Sequence, residues 1–172
     1  YDSLGVENED ASSIKFLKEL YPNSNVVSLH PNGEYYSACP DGKEALVHLI
    51  KIKDGEIVSD KEFPREYGDI DQFLLGRDYI LIGINWSGQC KIVTLTKDLI
   101  PIDSRIYNYP DGEWTQLDSL SIVSDGSYYA ELRTYCGDCG EGINLYKVTA
   151  DFHHVILTSS VEAIGEFRDS SN

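Results

Sequence analysis

One pattern returns three times along this chain of 172 residues: a turn rich in Gly, Asn or Asp, followed by an apolar run that begins with tyrosine. The first tyrosines of the three copies, Tyr35, Tyr79 and Tyr128, lie 44 and then 49 residues apart. A period of this size is typical of stacked supersecondary units, most often propeller blades of four strands each. The repeat therefore predicts a chain built from three similar small sheets.

The residues after position 22 have the pattern of β-strands. Apolar and polar residues alternate, and the runs are rich in Val, Ile, Tyr and Thr, which suit a half-buried pleated surface. Turn sequences such as Pro31-Asn32-Gly33, Asp54-Gly55 and Asp125-Gly126 separate the runs. The predicted strands cover residues 25–29, 34–39, 46–52, 57–63, 70–75, 79–86, 91–96, 102–107, 117–123, 128–134, 143–148 and 154–160.

The first hairpin of each unit resembles that of WD40-like and TolB-like propeller blades, in which Ser-Pro-Asp-Gly precedes an aromatic or aliphatic pair and a small residue. The matching segments are residues 30–38, His-Pro-Asn-Gly-Glu-Tyr-Tyr-Ser-Ala, and residues 124–130, Ser-Asp-Gly-Ser-Tyr-Tyr-Ala. No Trp-Asp dipeptide closes a third strand, so the resemblance is to the propeller class. It covers residues 25–160 and implies an all-β fold of three consecutive four-stranded antiparallel blade-like units, a partial β-propeller.

The chain divides on this basis into a lead-in and one all-β domain. Residues 1–10 contain four acids and no base, which favours a solvated segment, and a short helix is predicted to start near Ser12 and end before Pro22. Residues 23–172 form the predicted domain, with units at about 25–66, 67–114 and 115–163, bounds set by the turn sequences.

Three blades leave a closure problem, because propellers close as rings of about four to eight blades. An open blade face or sheet edge is a docking or aggregation surface. The chain is therefore expected to be a fragment of a longer propeller, to pair with itself, or to be completed by a partner. The absence of Met, even at position 1, favours the fragment. A β-sandwich, which uses similar strands and turns, is the alternative fold.

The charge limits the partners that the chain can have. A net charge of −15 argues against binding to nucleic acid or to an anionic membrane, because both require clustered Lys and Arg. The sequence also has no apolar run of transmembrane length, so membrane insertion is not expected. The charge is consistent with an ordinary acidic protein and also with an inhibitor that presents carboxylates to a basic partner.

The sharpest local motif is Cys136-Gly137-Asp138-Cys139-Gly140. Two cysteines at this spacing can hold one Zn²⁺ through their thiolates, but a structural zinc needs two further ligands. No second pair of this kind exists, and Cys39 and Cys90 are the other thiols. Zinc at Cys136 and Cys139, a disulfide and reduced thiols all remain open, and no other cofactor is expected.

Two carboxylates, Asp69 and Asp71, are candidates for cation binding or acid–base chemistry. Asp69 and Asp71 flank Ile70 at a strand start, so alternation would direct both side chains to the same side. In a propeller the first strand of a blade lines the central channel, where paired carboxylates can bind a cation or transfer protons. The alternative is that both are solvated residues at the entry of a strand.

Aromatic residues at strand ends are the candidates for a contact surface. Trp86, Tyr107, Tyr109 and Trp114 lie where burial is less obligatory, and aromatic rings dominate the energetics of protein interfaces. No nucleophile elbow or phosphate-binding loop accompanies them. The preferred function is a non-catalytic interaction module that binds another protein or itself. The alternatives are a hydrolase-type domain that uses the channel carboxylates and an acidic inhibitor or immunity-type protein.

Overall fold

The computed structural model describes residues 3–40, 46–64, 69–108, 114–136, 140–151, 154–159 and 165–168, which form one helix and thirteen strands. The elements are α1 Ser3–Leu20, β1 Ser24–Ser28, β2 Tyr35–Pro40, β3 Leu46–Lys53, β4 Glu56–Pro64, β5 Ile70–Leu75, β6 Ile80–Trp86, β7 Gln89–Leu95, β8 Pro101–Asn108, β9 Trp114–Ile122, β10 Tyr128–Cys136, β11 Gly140–Val148, β12 His154–Ser159 and β13 Gly165–Arg168.

The strands form three antiparallel sheets, each built from four strands that are consecutive in the chain. The first sheet has the order β1-β2-β3-β4, the middle sheet contains β5 to β8, and the third contains β9 to β12. This confirms the predicted all-β class and the grouping of the twelve predicted strands in fours. The middle sheet also has an unpredicted fifth strand, because β13 pairs with β8 at its edge.

The helix is longer than the sequence suggested, because α1 begins at Ser3 and not near Ser12. Residues 3–10, for which the sequence predicted a solvated lead-in before the helix, thus form the first part of α1. Among the described residues, no helix combines the length and the apolarity needed to cross a bilayer. Leu17 anchors α1, since it is fully buried among residues of the first sheet.

The contacts divide the chain into two compact units. Unit 1 contains residues 1–69 and 98–100, and unit 2 contains residues 70–97 and 101–172. In unit 1, α1 covers one face of the first sheet. The core there consists of Leu17, Val26, Tyr36, Ala38, Ile50 and Ile52, with Ile14, Tyr21 and Ile57 packed against it.

The core of unit 2 lies between the middle and third sheets, which pack face to face. The buried residues of this core are Tyr79, Leu81, Cys90, Ile92, Tyr107, Leu117, Leu120, Tyr128, Ala130, Leu132, Tyr146 and Val148. The core therefore includes the repeated tyrosines of the second and third sequence copies. Adjacent propeller blades and the two layers of a β-sandwich both pack face to face in this way.

Two contacts fix the third sheet against the middle sheet. The Tyr79 hydroxyl donates a hydrogen bond of 2.8 Å to the carbonyl of Gly126, in the first turn of the third sheet. At Gly83 of β6 the two sheets approach so closely that a Cβ atom would lie 2.5 Å from Leu117 Cδ2 of β9. A side chain at this position would have to displace the end of the Leu117 side chain, because real Cβ contacts are longer than this.

Candidate functional site

A groove in unit 2 lies where the turn between β6 and β7 meets the first residues of β9, and its volume is about 330 Å³. Its lining residues are Asp71, Asn85, Trp86, Ser87, Gly88, Gln89, Trp114, Thr115 and Gln116. We name it the Trp86–Trp114 groove. It brings together Asp71, Trp86 and Trp114, three of the residues that the sequence singled out.

The floor of the groove is the two-residue turn Ser87-Gly88. Both residues have positive φ, 42° and 77°, as in the type I′ turns that suit the twist of a β-hairpin. A Cβ atom on Gly88 would lie 2.7 Å from Trp114 Cδ1, so the indole of Trp114 rests directly on this turn. The amide of Thr115 donates a hydrogen bond of 2.8 Å to the carbonyl of Gly88 and holds the start of β9 there.

Asp71 sits at an irregularity of the middle sheet. The pairing of β5 with β6 shifts between Ile70 and Gln72, and the Asp71 carboxylate accepts a hydrogen bond of 2.8 Å from the amide of Asn85. The side chain remains exposed to solvent. Asp69 is exposed as well, and it does not line the groove. The bulge removes the strict alternation on which the prediction of a paired Asp69 and Asp71 site rested.

Asn85 has a structural role that the sequence did not suggest. Its Oδ1 accepts a hydrogen bond of 2.8 Å from the amide of Leu117, and its Nδ2 donates one of 3.3 Å to the carbonyl of the same residue. One side chain of β6 thus satisfies both backbone groups of a residue in β9. These two bonds hold the groove in shape by fixing one sheet to the other.

The groove continues onto the outer face of the third sheet. Trp114 and Tyr135 are direct cross-strand partners in β9 and β10, and Ile143 lies diagonally across from Tyr135 on β11. Their exposed fractions are 47%, 48% and 49%. We name Trp114, Tyr135 and Ile143 the aromatic strip. Beside it, Arg133 donates a hydrogen bond of 2.9 Å to Asp118, which keeps this cation directed along the sheet.

The remaining predicted contact residues lie elsewhere. Tyr107 is completely buried in the core of unit 2, with its ring centroid 5.5 Å from that of Tyr146. Its assignment to a contact surface is therefore corrected: a residue with no exposed surface is a core residue. Tyr109 lies outside the described residues.

The predicted thiol site also falls largely outside the described residues. Cys139 and the side chain of Cys136 are not among them, so zinc at this pair remains a prediction. Cys39 and Cys90 are not in a disulfide, and the Cys39 sulfur lies 3.4 Å from the Ser37 hydroxyl. Burial raises the pKa of the Cys90 thiol, which therefore stays protonated as part of the core.

The groove and the aromatic strip together present indole and phenol rings, the exposed Asp71 carboxylate and the backbone of the Ser87-Gly88 turn. This arrangement suits binding, since aromatic rings contribute large contact areas and the neighbouring charges confer orientation. Comparisons of the chain with protein-family models, with curated proteins and with solved structures find no match.

Proposed function

We propose that the chain is a non-catalytic module that binds another protein through the Trp86–Trp114 groove and the aromatic strip. The observation that supports this most directly is the position of Trp114, which is about half exposed and belongs to both surfaces. Trp and Tyr are the residues that most often dominate binding energy at protein interfaces. Trp114 is therefore the proposed anchor.

The residues that pack beneath Trp114 hold its indole in place, and an ordered exposed ring favours a role in binding. The turn at Gly88 and the double hydrogen bond from Asn85 fix the start of β9, so the indole is held before a partner arrives. A side chain that is already ordered loses less conformational entropy on binding. A rigid strand and turn are the kind of support that an interaction site requires.

The charge of the chain favours a basic partner. At −15 the net charge produces a field that attracts cationic surfaces, and Asp71 places a carboxylate at the groove itself. Complementary charge of this kind increases the association rate and orients the partner more than it adds to affinity. The proposed partner is therefore a protein with a basic surface around an apolar pocket that accepts an indole.

We also propose that the three sheets are blades of an incomplete β-propeller. The sequence repeat, the consecutive strand order within each sheet and the face-to-face packing of the two sheets of unit 2 support this. A crystal structure of the chain with its partner provides the test. Sheets arranged around a common axis support the propeller, whereas a two-layered sandwich contradicts it.

The binding proposal is tested with Trp114→Ala. A partner isolated with the wild-type chain is purified, and its affinity is measured by calorimetry for both forms. Truncation of an interface anchor costs about 2 kcal/mol of binding free energy, so the substitution is expected to weaken binding roughly 30-fold. Val58→Ala is the matched control, because Val58 is a 50% exposed apolar residue on β4 in unit 1. The affinity of this control is expected to stay unchanged.

Light scattering on the unpartnered chain separates the two kinds of association. A dimer that Trp114→Ala dissociates would identify a second copy of the chain as the partner and contradict the proposal of a different protein. A partner that binds wild type and Trp114→Ala with equal affinity would contradict the groove. An affinity for the partner that does not fall with added salt would contradict the basic partner.

A further inference from the structure

A second cluster of polar side chains lies in unit 1, on the face of the first sheet that α1 covers. His48 of β3 and Asp60 and Glu62 of β4 each contribute one potential ligand atom, and all three atoms lie within 4.8 Å of one another. His48 is mostly buried, with 16% of its side chain exposed, whereas Asp60 and Glu62 are 31% and 53% exposed. No motif in the sequence predicted this cluster.

The register of the hairpin creates the cluster. His48 is the direct cross-strand partner of Glu62, and Asp60 precedes Glu62 by two residues on the same face. Nδ1 of His48 lies 3.1 Å from an Asp60 oxygen and 4.0 Å from an oxygen of Glu62. One imidazole nitrogen therefore faces two carboxylates.

Tyr21 supports the cluster from just beyond the end of α1. Its hydroxyl donates a hydrogen bond of 3.2 Å to Oδ2 of Asp60, and its ring lies with its centroid 4.7 Å from that of His48. The hydroxyl thus holds the Asp60 carboxylate while the ring packs beside the imidazole, so Tyr21 orients both groups together.

We propose that His48, Asp60 and Glu62 form a binding site for a first-row divalent transition-metal ion, with Tyr21 as a positioning residue that orients Asp60. One nitrogen and two carboxylate oxygens complete three positions around the ion, and water fills the rest. The site is separate from the binding surface proposed in unit 2.

The distances agree with a common ion. Zinc binds imidazole nitrogen and carboxylate oxygen at about 2.0–2.2 Å, so two ligand atoms of a tetrahedral ion lie about 3.4 Å apart. The two His48 distances, 3.1 and 4.0 Å, are on either side of this value. Small rotations of exposed carboxylates therefore suffice to bring the ligands to an ion. The two carboxylates beside the imidazole nitrogen also favour a divalent cation electrostatically.

The choice of metal follows from the ligand types. Imidazole suits Zn²⁺, Cu²⁺, Fe²⁺ and Ni²⁺, while a site of oxygen ligands alone suits Mg²⁺ and Ca²⁺. A mixed nitrogen and oxygen set therefore favours the transition ions. The alternative is that His48 only hydrogen-bonds to Asp60 and no metal ion binds.

The test is a titration of chelator-treated, isotope-labelled protein with ZnCl₂, followed through the imidazole signals of histidine in NMR spectra. The signals of His48 are expected to shift and to saturate, whereas those of His30, on the β1–β2 turn, stay in place. Zinc bound at cysteine leaves the His48 signals unchanged, so the readout separates this site from any thiol site. His48 signals that do not move as zinc is added would overturn the proposal.

Conservative variants test the individual roles. Tyr21→Phe removes only the hydrogen bond to Asp60 and is expected to weaken zinc binding by about 10–100-fold, the range for residues that orient a metal ligand. Glu62→Gln keeps the size of an exposed side chain and removes a ligand charge, so it is expected to weaken zinc binding more than Tyr21→Phe does. Glu56→Gln, at the start of β4 and outside the cluster, is the matched control. Equal zinc affinity in Glu62→Gln and Glu56→Gln would refute the proposed ligand set.

Discussion

At Gly83, a single missing side chain determines how closely two sheets pack. We expect Gly83→Ala to destabilise the protein, because the new Cβ would lie 2.5 Å from Leu117 Cδ2 and 3.3 Å from Gln72 Cβ. Overpacking of a core typically costs about 1–3 kcal/mol. Urea unfolding followed by circular dichroism measures the change in the free energy of unfolding.

A second substitution separates the steric effect from other effects of adding a methyl group. Leu117→Ala removes the side chain that the new Cβ would contact, so Gly83→Ala should cost less free energy in that background. Double-mutant cycles report coupling of about 0.5–3 kcal/mol for residues in direct contact. Additive effects of the two substitutions would contradict the packing explanation.

Tyr79 links the pH dependence of stability to the same interface. Burial, followed by the charge of Asp125, raises the pKa of Tyr79 to about 12, above its ordinary value of 10.0. The folded state therefore retains a proton that the unfolded state loses, so this stabilising contribution is complete below pH 10 and is lost as the pH rises toward 12. Tyr79→Phe is expected to remove the contribution together with the hydrogen bond to Gly126.

The measurement is the difference in unfolding free energy between wild type and Tyr79→Phe as a function of pH. Below pH 10 the wild type should be more stable by about 1 kcal/mol, the usual net contribution of a hydrogen bond. Between pH 10 and 12 the difference should decrease by about 1–3 kcal/mol. A difference that stays constant across this range would show that Tyr79 does not titrate differently in the folded state.

Among the elements, β6 and β9 depend on one another through Asn85. We expect Asn85→Ala to destabilise unit 2, because it removes both hydrogen bonds to Leu117. The buried amide of Leu117 then loses Asn85 Oδ1 as its acceptor. An unsatisfied buried group costs about 1–3 kcal/mol. Thermal unfolding measures this loss, and weaker partner binding is expected to accompany it because the groove loses its support.

The matched control is Asn25→Ala on β1, where the asparagine is exposed. Its effect on stability should stay within about 0.5 kcal/mol, as for most surface substitutions. If the two asparagine variants had the same stability, the inter-sheet role of Asn85 would be wrong.

The sequence predicted the strands well because each has strong local signals. Alternating apolar residues and turns such as Asp54-Gly55 mark them, and all twelve predicted strands occur with ends that differ by a few residues. β13 was missed because its four residues have no turn signal and no clear alternation. Tyr107 was misassigned because its position near a strand end says nothing about which layer covers it. The helix start was missed because four acids within residues 1–10 favour a solvated segment, whereas the Glu residues among them also have a high helix propensity.

The cluster at His48 was beyond sequence analysis for a geometric reason. The turn pairs Lys53 with Glu56, and counting back from it would place His48 opposite Lys61. A bulge between Lys51 and Ile52 shifts the register by one residue, so His48 instead opposes Glu62. Because a shift of one residue exchanges the two faces of a strand, it replaces a cation by a carboxylate. Such a bulge cannot be located from the composition of the strand.

At the scale of the whole molecule, the net charge of −15 produces self-repulsion that salt can screen. We expect the thermal midpoint of unfolding to rise when NaCl is added to protein in a dilute buffer at pH 7. For a chain of this length, about 1 kcal/mol of relieved repulsion raises the midpoint by about 2–4 °C. Differential scanning calorimetry measures the shift.

The isoelectric point supplies the control for this charge effect. Near pH 4.5, where the net charge approaches zero, the same addition of salt should leave the midpoint almost unchanged. A midpoint that falls with NaCl at pH 7 would mean that attractive ion pairs, such as Arg133 with Asp118, outweigh the overall repulsion.

The pairing of β13 with β8 affects the order of folding. All four strands of the third sheet lie in the chain between β8 and β13. The chain therefore leaves the middle sheet after β8, forms the third sheet, and returns to the middle sheet with β13. During synthesis, β5 to β8 can pair as soon as they emerge, but the outer edge of β8 gains its neighbour only after β9 to β12 have appeared. Until then the edge of β8 has unpaired backbone groups and can bind a strand from another nascent chain.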